Sequence, residues 1–84
     1  FWNTSNVTDM TGLFSGATSF NQDIGDWDTS NVIRMKSMLE GTTEFNQDLT
    51  GWCVTNITSK PTSFSTKSNL TETNKPIWGT CPSY

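Results

Sequence analysis

Asp23 and Asp48 stand 25 residues apart in two near-copies of one octet, FNQDIGDW at 20–27 and FNQDLTGW at 45–52. Two carboxylates side by side are the chemistry of glycoside hydrolysis, in which roughly 5 Å between carboxyl groups marks the retaining mechanism. Stacking two copies of an octet brings its acids together without building a cleft or dividing their roles, so the pair reads as a solvated face. Other reactive groups are scarce. The chain has no His, a single Tyr at position 84, and Cys53 and Cys81 as its only cysteines. The usual general bases and nucleophiles are therefore missing, and no catalytic residue is assigned. Asp26 and Asp28 supply two local acids, but one copy further on Gly51 and Cys53 fill their places, too few oxygen ligands for calcium. Neither a metal site nor a cofactor is expected.

The two cysteines are the residues with chemistry to do. An even count in a small, polar, Thr-rich chain points to a Cys53–Cys81 disulfide and an oxidising compartment. At 84 residues the chain is one small domain, for which a single apolar core is barely sufficient, so a covalent staple is expected. Hydrophobic residues make up 32%, while Ser, Thr and Asn together number 33, so the surface must be neutral and polar. The net charge of −3 leaves no basic field for a phosphate backbone, which excludes nucleic acid as a partner. No apolar run is long enough to span a membrane.

What positions these groups is the repeat. Trp2, Trp27 and Trp52 fall in one register, as do Phe20 and Phe45, and Asn6, Asn31 and Asn56. A period of 25 lies in the range of coils whose turns each hold one strand and one helical or 3₁₀ segment. In NVTDMTGLFSGA the residues Val7, Met10, Phe14 and Ala17 are spaced by three and four, which predicts a short helix capped by Asn6 with Asp9. The FNQDI stretch, bounded by Gly25, predicts one short strand per turn. One turn cannot bury its apolar face alone, whereas copies in register share a continuous core. That core is expected to hold Trp2, Val7, Met10, Phe14, Phe20, Ile24, Trp27, Val32, Met35, Leu39, Phe45, Leu49, Trp52 and Ile57. Strands in adjacent turns would lie roughly 4.8 Å apart, setting Asn21 over Asn46 in an amide ladder. Thr4 with Ser5 and Thr29 with Ser30 read as solvated loop residues.

The stretches WDTSNV, MTGLFSGATSFNQDIGDW and GWCVTNI resemble the bacterial surface protein repeats of about this length, the DUF285 or BspA-like family. The resemblance is close over residues 1–58 and extends to the tail with its WGTCP; Ile33, Arg34 and Glu40 depart from the pattern. It implies an α/β solenoid similar to leucine-rich repeats, on secreted and cell-surface proteins, some of them adhesins for host or matrix proteins.

The expectation is thus an α/β solenoid of about three stacked turns over 1–58, starting near Trp2, Trp27 and Trp52, with residues 59–84 as a disulfide-stapled cap. Phe64, Leu70, Ile77 and Trp78 would be the apolar feet of that cap. The function expected is a non-catalytic extracellular or cell-surface domain for adhesion, binding a protein or glycan through Asn21, Asp23, Asn46 and Asp48. The alternative is a structural subunit of an extracellular filament. Phe1 and Trp2 enter in mid-repeat, as in a processed product or a piece of a longer protein, and the uncovered first turn would then serve self-association. Residues 1–33 carry four acids and no base, and residues 34–84 five bases and four acids, a balance of −4 against +1 that favours head-to-tail contact. Among the sequons, Asn69 and Asn3 are the glycosylation candidates.

Overall fold

Backbone amides in the first turn alternate between two destinations. A computed structural model describes residues 3–82. In it the N–H groups of Met10, Gly12, Phe14 and Gly16 donate to the carbonyls of Arg34, Lys36, Met38 and Glu40, 24 residues on. Those of Leu13, Ser15 and Ala17 instead close local turns on Met10, Gly12 and Phe14. One turn later the pattern returns. Ser37, Leu39 and Gly41 donate to Thr62, Phe64 and Thr66, while Met38, Glu40 and Thr42 close on Met35, Ser37 and Leu39. Successive turns of chain therefore lie on one another, joined by every second amide.

This bonding overturns the α/β solenoid expectation. Among the described residues the only helix is a three-residue 3₁₀ segment, Glu72–Asn74, and the only bridge is the isolated parallel pair Asp9 and Arg34. Among the described residues no strand and no sheet forms. The chain is a compact body of 29 × 24 × 22 Å made of irregular turns. The physical reason lies at two positions of the repeat. Gly12 and Ser37 have φ of 64° and 57°, and Gly16 and Gly41 have φ of 78° and 77°. A left-handed residue every four or so positions ends any α-helix, so the three-and-four spacing of Val7, Met10 and Phe14 came from linked turns. The signal was present in Gly12 and Gly16, which a helix interior disfavours. In the FNQD stretch the N–H of Asn46 donates to the Asn21 side chain rather than to backbone, so polar side chains do the work of a strand ladder.

The core is a single cluster. Met10, Ile24, Val32, Met35, Leu39, Phe45, Leu49, Trp52 and Ile57 are buried in it together with Met38, Val54, Phe64 and Leu70. Val7, Phe14, Phe20, Trp27 and Trp78 pack against it at partial exposure, and Trp2 lies outside the described residues. Phe14 stacks on Phe20 at 4.0 Å between ring centroids, and Phe20 on Phe45 at 5.4 Å. Of the four feet proposed for the cap, Ile77 is 73% exposed.

Buried polar groups tie the turns as much as the apolar ones do. The Trp52 indole N–H donates to Ile24 O at 2.9 Å across one turn. Thr4 and Thr29 are buried, not solvated, and their hydroxyls donate to Asp28 O and Cys53 O, each 24 residues on. Val54 holds the same register and is likewise buried. Asn31 and Asn56 cap no helix; their side-chain amides donate backwards to Ser5 O and Ser30 O. Cys53 and Cys81, 28 positions apart in sequence, are joined, closing the last turn on its own start. A loop of that size stabilises by about 3 to 4 kcal/mol in the chain-entropy account.

Two substitutions test this account of the turns. A Cβ on Gly25 would stand 2.5 Å from Asp48 O, so Gly25→Ala should lower stability by about 1 to 3 kcal/mol in a urea titration. Ser37 holds the left-handed conformation that Gly12 occupies one turn earlier. Releasing that strain, net of glycine's own entropy, should make Ser37→Gly more stable by about 0.5 kcal/mol, or about 2 to 4 °C in thermal midpoint. A destabilised Ser37→Gly protein would contradict the assignment.

Candidate functional site

The side chains proposed as a binding face lie along one flank, and the turns set them differently. Asn21 is exposed, but its carboxamide oxygen accepts from Asn46 N and from the Gln47 side-chain amide, both at 3.0 Å. Asn46 is half-buried, and its oxygen takes Thr71 N at 3.2 Å and the Asn74 side-chain amide at 3.0 Å. Both asparagines are thus struts between turns. The order Asn21, Asn46, Thr71 continues at the same spacing into the segment read as a cap.

The acids remain outward. Asp23 and Asp48 are both exposed, and each folds a tight turn onto the residue two ahead. Asp23 Oδ1 accepts Gly25 N at 2.9 Å; Asp48 Oδ1 accepts Thr50 N at 2.9 Å and the Thr50 hydroxyl at 2.6 Å. Such a turn holds the carboxylate in one orientation and leaves its second oxygen to solvent. Asp23, Asp26 and Asp48 together with Gly25, Thr50 and Gly51 line a shallow depression of about 260 Å³ between the first two turns. Gly25 makes this approach by leaving room for Asp48 O. The flank is therefore a short acidic file whose geometry is fixed by backbone bonds and the asparagine struts.

The Asp9 and Asp28 carboxylates repeat the device elsewhere. Asp9 Oδ1 accepts Thr11 N at 2.9 Å, and Asp28 Oδ1 accepts Ser30 N at 3.0 Å and the Ser30 hydroxyl at 2.5 Å. The hydroxyls of Thr11, Ser30 and Thr50, followed by their amides, hold Asp9, Asp28 and Asp48 below the usual 3.8 of an aspartate. The carboxyl of Glu72 is likewise lowered, first by its hydrogen bond with Lys75. Sequence reasoning missed these turns, although D-x-[TS] recurs at 9, 28 and 48 and was legible as a set.

Among the described residues no three His, Cys, Asp or Glu gather as metal ligands would, and no helix is long and apolar enough to cross a membrane. Of the glycosylation candidates, Asn69 and Asn3 are both exposed, and the Asn3 oxygen is engaged by Ser5.

The stacked turns with their paired cysteines and D-x-[TS] turns define a disulfide-bonded repeat domain. The chain belongs to the family described as Mycoplasma protein of unknown function, DUF285, whose model it matches over residues 1–80. No curated protein and no solved structure matches it.

The direction of the carboxylate shifts fixes a pH dependence. Asp9, Asp28 and Asp48 are depressed in the folded state, so between their folded and unfolded values the unfolded chain binds more protons and stability rises with pH. Their contribution is complete above about 4 and is lost as pH falls through the lower folded values. Urea midpoints should therefore be flat from about pH 7 to 5 and fall below about pH 4. Asp28→Asn with Asp48→Asn, which keeps the turns but removes the charge, should flatten that fall; an unchanged acid slope would contradict it.

Proposed function

We propose that this chain is a non-catalytic extracellular or cell-surface domain that binds a protein or glycan surface through its acidic flank. The observation that carries this reading is the fixed pair Asp23 and Asp48, equivalent residues of adjacent turns, each held outward by a hydrogen bond to the residue two ahead. A preset array loses little side-chain freedom on binding, which is what a recognition surface needs. The Cys53–Cys81 bond supports an oxidising, extracellular setting, because such bonds persist there and are rare in the cytosol. Asn21 and Asn46 serve this face as its internal bracing. The resemblance to BspA-like surface adhesin repeats supports the same reading.

The test is adhesion of beads coated with the 84-residue chain to cultured epithelial cells under flow. Asp23→Ala with Asp48→Ala should reduce retention about tenfold while the Cys53–Cys81 disulfide still forms. Retention equal to that of uncoated beads, or unaffected by the double variant, would remove the proposal. Release of soluble sugar from the cell surface by the parent, abolished by Asp48→Asn, would instead establish glycan hydrolysis.

A further inference from the structure

A second groove, of about 380 Å³, shares no residue with the acidic depression. It crosses all three turns: Thr11 contributes from the first, residues 33–36 from the second and residues 56–62 from the third. Its charge comes from one place in the repeat. Where the first copy reads TDMT at 8–11, the second reads IRMK at 33–36 and the third TSKP at 58–61. Arg34 thus stands in the register of Asp9, and Lys36 in that of Thr11. Lys60 takes the register of the buried Met10 and Met35, yet it is exposed, as are Arg34 and Lys36. Three of the chain's five bases therefore line one groove, and no acid lines it.

No carboxylate neutralises these bases. Among the described residues the only ion pair joins Lys75 to Glu72. Two acids outside the groove feel its field weakly. Asp9 is lowered first by the Thr11 hydroxyl and amide, with Arg34 a minor cause, and Glu72 first by Lys75, with Lys60 a minor cause. The backbone beneath the bases is pinned on both sides. Ile33 N donates to Thr8 O, Met10 N and Gly12 N donate to Arg34 O and Lys36 O, and Ser37 N donates to Thr62 O. The cations therefore rise from a fixed floor, two residues apart along the second turn and one turn apart across to the third.

We propose that this groove binds an anionic polysaccharide, with its acid groups on Arg34, Lys36 and Lys60 and its hydroxyls on Thr58, Ser59 and Thr62. Cations spread along a groove match a chain of charges, and a low-dielectric wall on either side concentrates their field. The hydroxyl side chains beside them are donors and acceptors suited to sugar hydroxyls. No aromatic side chain lines the groove, so it lacks the stacking faces on which nucleobases bind. Its one exposed large apolar residue, Ile33 at 48%, offers too little apolar surface to enter a bilayer. The chain as a whole is net negative, so the contact depends on the local field and is weakened by salt. This site is independent of what the acidic flank binds.

Fluorescence anisotropy of two labelled probes, a heparin-derived hexasaccharide and an oligogalacturonate hexamer, tests this at about 50 mM salt, where surface charge is little screened. The oxidised 84-residue chain should bind at least the first probe, less tightly as salt rises. Binding of the first alone assigns the sulfates as the recognised groups, and binding of both assigns the carboxylates as sufficient. Arg34→Gln with Lys36→Gln should weaken binding about tenfold or more, and Lys60→Gln about threefold. Lys67→Gln, which removes an exposed base outside the groove, should leave affinity within about twofold of the parent. Arg34→Lys with Lys36→Arg keeps both charges and should retain binding. Binding to neither probe overturns the proposal. So does a loss in Lys67→Gln equal to that in Lys60→Gln, which would mean that only net charge matters, or a loss in the charge-conserving pair equal to that in the Gln pair. A poly-glutamate peptide or phosphatidylserine vesicles bound more tightly than either sugar would overturn the choice of occupant.

Discussion

Everything in this molecule rests on the division of backbone amides into those that close a turn and those that cross to the next one. In the first turn Leu13, Ser15 and Ala17 belong to the first group, and Met10, Gly12, Phe14 and Gly16 to the second. A helix would send all of them inward along one segment, and a sheet would share them between extended strands. The alternation does neither, so the chain satisfies its backbone without forming either regular element. The crossing bonds run both ways: Gly12, Phe14 and Gly16 donate forward to the second turn, while Ile33 donates back to Thr8 O and Gly79 back to Val54 O.

Where the alternation lapses, side chains take over. The Thr4 and Thr29 hydroxyls reach forward to the next turn, while the Asn31 and Asn56 amides reach back to the one before. Asn21 and Asn46 take the amides of Asn46 and Thr71. Among the described residues no buried side-chain nitrogen or oxygen lacks a hydrogen bond. A chain with so few apolar residues needs that economy: an unpartnered buried polar group would cost about 1 to 3 kcal/mol, a large share of what so small a core supplies. The richness in Thr and Asn is thus structural, and it leaves Asp23 and Asp48, which no neighbouring turn consumes, as the groups free to face a partner.

The third turn shows how little of this depends on sequence identity. Residues 61–68 have lost the Met-centred pattern, yet they accept from the second turn and close local turns as the earlier copies do. Ser63 and Lys67 adopt left-handed backbone without glycine, at φ of 57° and 59°. Docking on a preformed second turn compensates for the strain, as contacts with a template commonly override local preference.

The residues alone determined the 25-residue register, the family, through WDTSNV and FNQDI, and the cysteine pairing, because these depend only on which side chains recur and on how many thiols there are. The D-x-[TS] turns were equally local and could have been read. The backbone form was not legible: Val7, Met10 and Phe14 have helical spacing, and only the presence of a neighbouring turn's carbonyls decides whether their amides bond along the segment or across it. Tertiary structure likewise decided that Thr4 and Thr29 are interior, that Asn31 and Asn56 are braces rather than caps, and that Leu13 is exposed where Met38 is buried. In each case one residue type at one register position has two uses, and the choice between them is made by whether another turn lies against it.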